Sequence, residues 1–330
     1  MRVLLWHVHG GYTDAFVRGR HEYLLPVDAA RDAWGGGLLG RDWPAAREVP
    51  VEELHDTDID VVVLQRPEEI ALAERWTGRR PGRELPAIYL EHNTPKAHPT
   101  DTRHPIADRD DIVLVHVTHF NRLFWDNGRA PTRVVEHGVP DPGALYTGEL
   151  ARAAVVVNEP ARRGRITGTD LLPRFGAVAP VDVFGMGAEP LAALPGVTPA
   201  GDLRPERLRV ELARRRLYLH PLRWTSLGLA LLEAMHLGMP VVGLATTEAP
   251  RAVPPEAGLF TNDLDALARE IRALIRDPEL AAERGRRARR HVLEHYGLET
   301  FLHTWDAVLA DTVDGRRVSA SPHLDERSAR

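Results

Sequence analysis

The 330 residues contain no cysteine, which excludes a disulfide framework, a thiolate zinc site and a cysteine nucleophile. Long apolar runs are missing as well. No stretch approaches membrane-spanning length, and the opening Met1 to Gly11 is too short in apolar residues for a signal peptide. The expectation is a cytoplasmic protein. Nor is there an excess of either charge: 47 acidic against 42 basic side chains leave a formal net charge of -5, and nothing in that balance calls for nucleic acid. At about 150 residues per domain the length predicts roughly two domains, each able to bury a core.

What is present is a rhythm of short Val, Ile and Leu runs. In the first half they are Val3 to Val8, Asp60 to Leu64, Ala87 to Leu90 and Ile112 to Val117. Mixed segments such as Pro67 to Trp76 lie between them, and Asn121 to Asn127 follows the last. Strands buried on both faces and joined by crossover helices give a parallel α/β sheet. Ligands collect at the carboxyl ends of such strands, so the residues after each run carry the functional interest.

After the first run stand His9, Gly10 and Gly11. Two glycines let a backbone approach a phosphate, but neither a dinucleotide fingerprint nor a P-loop is completed. A tight strand-to-helix turn explains them equally well. After the third run stands His92, at a position where substrates sit. His7 and His9 have the spacing of two rings on one face of a strand, yet no third ligand accompanies them, and a metal site needs three or four.

Val134 to Gly143 ends the first series in a Pro/Gly cluster that reads as an interdomain connection. Domains over 1–143 and 144–312 are expected, with a polar, disordered tail over 313–330. A second series follows with runs at Ala154 to Val157, Val181 to Phe184, Leu217 to His220 and Val241 to Leu244. Two such sheets predict a cleft for a substrate too large for one domain.

The richest stretch is His220 to Pro240. Thr225 or Ser226 can cap a helix that Gly238 and Pro240 stop. That helix is apolar nearly all round apart from Glu233, which must therefore reach a cleft, hold a partner or occupy the one exposed strip. The free N–H groups at Leu227, Gly228 and Leu229 would carry the helix's positive end, suited to a diphosphate. Arg162, Arg163 and Arg165 follow the first strand of this series, where guanidinium groups either fork onto phosphate or stay solvated.

These residues resemble the retaining glycosyltransferases of family 4, within the glycosyl transferases group 1, over nearly the whole chain. Gly228-Leu229, Leu232-Glu233-Ala234-Met235 and Gly238-Met239-Pro240-Val241-Val242 carry the match. Arg162 takes the position of the family's diphosphate arginine, Gly10 and Gly11 that of its first-domain glycine loop, and His92 that of its histidine near the transferred sugar. His137-Gly138-Val139 is similar to its hinge, and the closing helices, with Phe301 and Trp305, would pack back toward the first domain.

The resemblance implies the GT-B fold, two Rossmann-like α/β domains facing across a cleft. It further implies transfer, with retention and without a metal or cofactor, from a UDP- or GDP-linked sugar to a glycan, lipid-linked or small-molecule hydroxyl. Glu233 would hold the ribose; the helix start at Leu227 to Leu229 with Arg162 and Arg165 would hold the diphosphate; Thr225 and Ser226 would bind the donor through hydrogen bonds; His92 would orient the sugar. Two positions depart from the pattern: Thr167 replaces the family's lysine, and Thr225 replaces the first of its two glutamates. The alternatives are an epimerase or phosphorylase on the same fold, a non-catalytic sugar-nucleotide binder, and an unrelated α/β protein in which Glu233 is structural. The basic run Arg284 to Arg290 reads as a solvated helix face in preference to a peripheral membrane contact.

Overall fold

The computed structural model describes residues 1–315. All but the first three residues of the expected tail over 313–330 therefore lie outside the described residues. The chain forms two compact units. One comprises Met1–His137 together with the chain from Phe301, and the other Gly138–Thr300. The division falls inside the Pro/Gly cluster that follows Val135, six residues before the expected boundary at 143.

Each unit is wound on a parallel sheet. In the first, the spatial order is Ala46–Pro50, Glu22–Val27, Arg2–Leu5, Val61–Leu64, Ala87–Glu91, Val113–His116 and Thr132–Val134. In the second it is Val197–Gly201, Val181–Phe184, Leu150–Val156, Arg215–His220, Val241–Gly243 and Gly258–Phe260. In sequence rank both sheets begin 3-2-1-4-5-6, the doubly wound order, which reverses direction between the first and fourth strands.

The apolar runs become strands because both faces are covered. Val61–Leu64, Ala87–Glu91 and Val113–His116 are buried throughout. In the second sheet alternate residues serve opposite layers: Ala154, Tyr218 and Val241 pack with Leu231 and Met235, whereas Val155, Leu219 and Val242 pack with Leu267 and Ile271. The period of two in a strand produces this split.

Several strands depart from the expected runs. The first ends at Leu5 rather than Val8, because the Trp6 carbonyl turns back to accept from Val8 N at 3.1 Å. His7 and His9 therefore lie beyond the strand and do not share a face of it: His7 Nδ1 meets the Leu38 carbonyl at 3.2 Å, while the His9 ring lies against His92. Glu22–Val27, Ala46–Pro50 and Val197–Gly201 were not among the expected strands. Each contains a proline, tolerated because two of these strands are sheet edges and Pro26 lies past Leu24, where Glu22–Val27 stops pairing with Arg2–Leu5.

The last helix, Leu298–Val313, joins the first unit from Phe301 onward. Trp305 is buried, its Nε1–H donates to the Tyr12 hydroxyl at 2.9 Å, and its ring meets Phe16. No helix among the described residues is long and apolar enough to cross a membrane.

Candidate active site

The second unit reverses its winding between Leu150–Val156 and Arg215–His220, which pair in parallel through Ala153 and Leu217. The loops after these two strands hold nearly all the second-half residues singled out above. They are stitched together. The Arg223 guanidinium grips Asp170 with both nitrogens, at 2.5 and 2.9 Å, and donates to the Arg165 carbonyl at 2.9 Å. Arg165 reaches the same Asp170 at 2.9 Å, and the Arg223 backbone N–H donates to the Ile166 carbonyl at 2.9 Å. Two guanidinium groups, Arg223 first, hold the Asp170 carboxyl below the usual range. Gly168 makes this approach possible: at φ +72°, a Cβ there would lie 1.9 Å from the Pro221 carbonyl oxygen.

Arg162 is exposed and stands 3.5 Å from Glu159. Thr167, at the position of the family's lysine, points inward and donates to the Gly164 carbonyl at 3.0 Å, so it brings no charge to the surface of the loop. Arg223 lay in the stretch read above without a role. Its part in joining the loops depends on a partner 53 residues away, which no local pattern reveals.

The helix runs Leu229–Leu237 with Gly228 as its N-cap, and no side chain caps it. This corrects the expectation that Thr225 or Ser226 does so: the helix starts at Leu229 with Gly228 extended as its N-cap, which places both hydroxyls too far upstream. Ser226 is buried. The Thr225 Oγ1 is buried without a hydrogen-bond partner among the described residues. The N–H groups of Leu227 and Gly228 likewise make no hydrogen bond to described residues, and no acidic side chain occupies the first turn. A Cβ at Gly228 would press on the His220 ring at 3.3 Å. His220 closes its strand, with burial lowering it to about 4.

Glu233 is half-buried on this helix and makes no hydrogen bond or ion pair among the described residues. Burial pushes its carboxyl up, opposed only by the more distant Arg209. Its neighbours Leu231, Leu232, Ala234 and Met235 are fully buried.

In the first unit the corresponding crevice lies beyond Arg2–Leu5 and Val61–Leu64. Gly10 and Gly11 are the first two residues of the helix Gly10–Phe16, with His9 as N-cap. Around it gather imidazoles. The His92 ring lies 4.1 Å from that of His9 and 4.7 Å from Tyr12, and His137 lies 5.6 Å from Tyr12. Burial lowers all three histidines: His137 to about 4, and His92 well below its usual value with His9 and His137 adding to the effect. Both ring nitrogens of His137 are buried without a partner among the described residues. His92 Nε2 meets Gln65 Oε1 at 3.0 Å, and Gln65 Nε2 donates to the Trp6 carbonyl at 2.8 Å. Gln65, directly after a strand, escaped the sequence reading because nothing in its surroundings marks it. Among the described residues no three His, Asp or Glu side chains are placed to hold a metal ion.

Two doubly wound parallel units in one chain are the architecture of the GT-B glycosyltransferases. Residues 178–277 match the family model of the glycosyl transferases group 1. Among solved structures, the chain is similar to sucrose-phosphate synthase from Thermosynechococcus elongatus, at 15% identity and a TM-score of 0.69, over 96% of this chain and 100% of that one. It is also similar to Anabaena HepE in complex with UDP and glucose, at 14% identity and a TM-score of 0.68, over 94% and 100%. S. aureus TarM is matched at 17% identity with a TM-score of 0.63 over 78% of this chain; this chain spans 57% of the length of that one. At such identities the likeness is one of fold. No curated protein matches the chain.

Proposed function

We propose that this protein is a glycosyltransferase that moves a sugar from a nucleoside diphosphate donor to an acceptor hydroxyl with retention of configuration. The observation that carries the reading is the second unit's switch point, where a helix start with free N–H groups adjoins an arginine-bearing loop, and the helix carries a half-buried, unpartnered Glu233. An anion is satisfied by the first two and a pair of ribose hydroxyls by the third.

In that role Glu233 accepts hydrogen bonds from the ribose. Leu227, Gly228 and Leu229 donate their N–H groups to the diphosphate, Thr225 and Ser226 offer hydroxyls beside them, and Arg162 and Arg165 supply positive charge. The same donors stabilise the negative charge that develops as the glycosidic C–O bond to the diphosphate breaks. The acceptor oxygen bonds to the anomeric carbon on the face the diphosphate leaves, and its proton passes to the departing phosphate oxygen. In the first unit, His92 orients a sugar through a hydrogen bond and the Gly10-Gly11 turn lines the same crevice. UDP- or GDP-linked sugars are the donor class; structures similar in fold that contain UDP or UDP-glucose support it.

A thermal-shift screen with UDP, GDP, ADP and their sugars tests the donor. A ligand at a hundred times its Kd adds about 2.7 kcal/mol, so a true donor raises the melting temperature by several degrees. Incubation with acceptors must then release the nucleoside diphosphate, and analysis of the new linkage must show the donor's anomeric configuration. No shift with any nucleotide would overturn the proposal. Thr167 and Thr225 favour one second reading, a binder of sugar nucleotides without turnover, because both bring neutral side chains where the family carries charge. That reading is supported if a donor shifts the melt and no acceptor yields product.

A further inference from the structure

The hydrogen-bond pattern around His92 determines more than its position. The Trp6 carbonyl can only accept, so the atom of Gln65 that faces it at 2.8 Å must be the amide nitrogen. Gln65 Oε1, itself only an acceptor, then faces His92 Nε2 at 3.0 Å. The reverse amide orientation would set Oε1 against the Trp6 carbonyl oxygen, two acceptors facing each other, so Gln65 cannot adopt it. Its backbone N–H donates to the buried Glu69 carboxylate at 2.6 Å, and that carboxylate also takes Arg66 Nε at 2.6 Å. Arg66 is fixed in turn by the Ala33 carbonyl and the Trp34 ring.

We propose that Gln65 is a positioning residue that holds His92 as the Nε2–H tautomer, so that Nδ1 presents a lone pair and recognises a ligand hydroxyl as donor rather than an anion. The inference rests on the reading above that His92 faces the sugar. A doubly protonated ring would also satisfy Gln65, but the His9 imidazole at 4.1 Å and the burial of the site oppose it. His92 makes no second hydrogen bond among the described residues, which leaves Nδ1 for the ligand.

The test is a long-range 1H–15N correlation spectrum of the ¹⁵N-labelled full chain at pH 7, with the His92 signals assigned by their loss in His92→Asn. A pyrrole-like Nε2 and a pyridine-like Nδ1 are expected. Gln65→Met removes the acceptor while the Trp6 carbonyl keeps Val8 N as a partner; the two nitrogen shifts should then converge, with kcat/KM roughly two- to tenfold lower, the size of one neutral hydrogen bond. Gln65→Leu serves the same purpose if the methionine variant does not fold. An Nδ1–H signature in the wild type, or an unchanged signature in a folded variant, overturns the proposal. The spectrum needs no substrate, so the two readings fail separately. An Nδ1–H signature in an active transferase removes only this inference, whereas an Nε2–H signature without transfer to any acceptor removes the transferase.

Discussion

The two units repeat one winding order and place loops at the same topological point, yet they fill it with opposite chemistry. The first unit's crevice holds neutral rings: His9, His92 and His137 are each lowered by burial and stand around Tyr12. The second unit's holds full charges: Arg162, Arg165 and Arg223 with Asp170, and a lone Glu233. The fold supplies a place for a ligand and the loops decide what kind. Neutral imidazoles suit hydroxyl groups, whereas guanidinium groups and a bare helix start suit phosphate.

Acid should break this contrast most severely. An imidazole whose folded pKa lies below its unfolded value leaves the native state fully stabilised above about 6.5, and that stability is lost as the pH falls toward the folded value. His116 and His137 in the first unit and His220 in the second, all lowered to about 4, place a loss between pH 6.5 and 4 in both. The first unit also holds His7, His9, His21 and His92, all lowered, against His236 and His291 in the second, so the loss is larger in the first. The expected cost is roughly 2 to 3 kcal/mol per ring. Hydrogen exchange at pH 7 and pH 5 should show Met1–His137 deprotected before the core of Gly138–Thr300, and His137→Phe should flatten the dependence. Uniform deprotection would contradict it.

Glu233→Gln comes next. Loss of a charged acceptor should weaken nucleotide binding by roughly ten- to a hundredfold, as for hydrogen bonds worth about 1.5 to 3 kcal/mol, and calorimetric titration with UDP and GDP measures it. The folded Glu233 pKa is raised, so its contribution to stability falls as the pH rises from the unfolded value through the folded one. The variant should therefore melt no lower than the wild type at pH 8. Unchanged nucleotide affinity would make Glu233 structural.

Thr225→Val sharpens the comparison with a smaller effect of opposite sign on stability and binding. Its buried Oγ1 has no partner among the described residues, so an isosteric methyl should add about 1 kcal/mol in chemical denaturation, while a donor that uses the hydroxyl binds more weakly. Asp170→Asn should do least. It frees Arg165 and Arg223 from their carboxylate, and diphosphate affinity should rise less than tenfold at low salt, with the gain screened away at high salt. A drop in affinity would show that the Arg223 clasp, rather than its charge, serves the ligand.

The basic run shows how far local pattern reaches. Of Arg284 to Arg290, Arg284 is tied to the Pro255 carbonyl, Arg287 to Glu283, and Arg289 to Asp141, while Gly285 and Ala288 face the core. The solvated-face reading named the helix correctly, but only the fold shows that three of the five arginines are engaged. Gly168 and Gly285 carry the same lesson. Their necessity comes from the Pro221 and Gly238 carbonyls, each 1.9 Å from where a Cβ would lie.

By itself the sequence determined the α/β alternation, the apolar helix around Glu233 and the stretch that carries the family match, because burial on two faces and helix periodicity are written in consecutive residues. It did not reveal the proline-containing strands near the sheet edges, the uncapped helix start, the Arg223–Asp170 clasp or the Gln65–His92 pair. Those depend on groups brought together from distant parts of the chain, and hydrogen-bond partners at such separations leave no periodic trace. Tertiary structure decided them because a buried polar group must find its partner wherever the fold has put one.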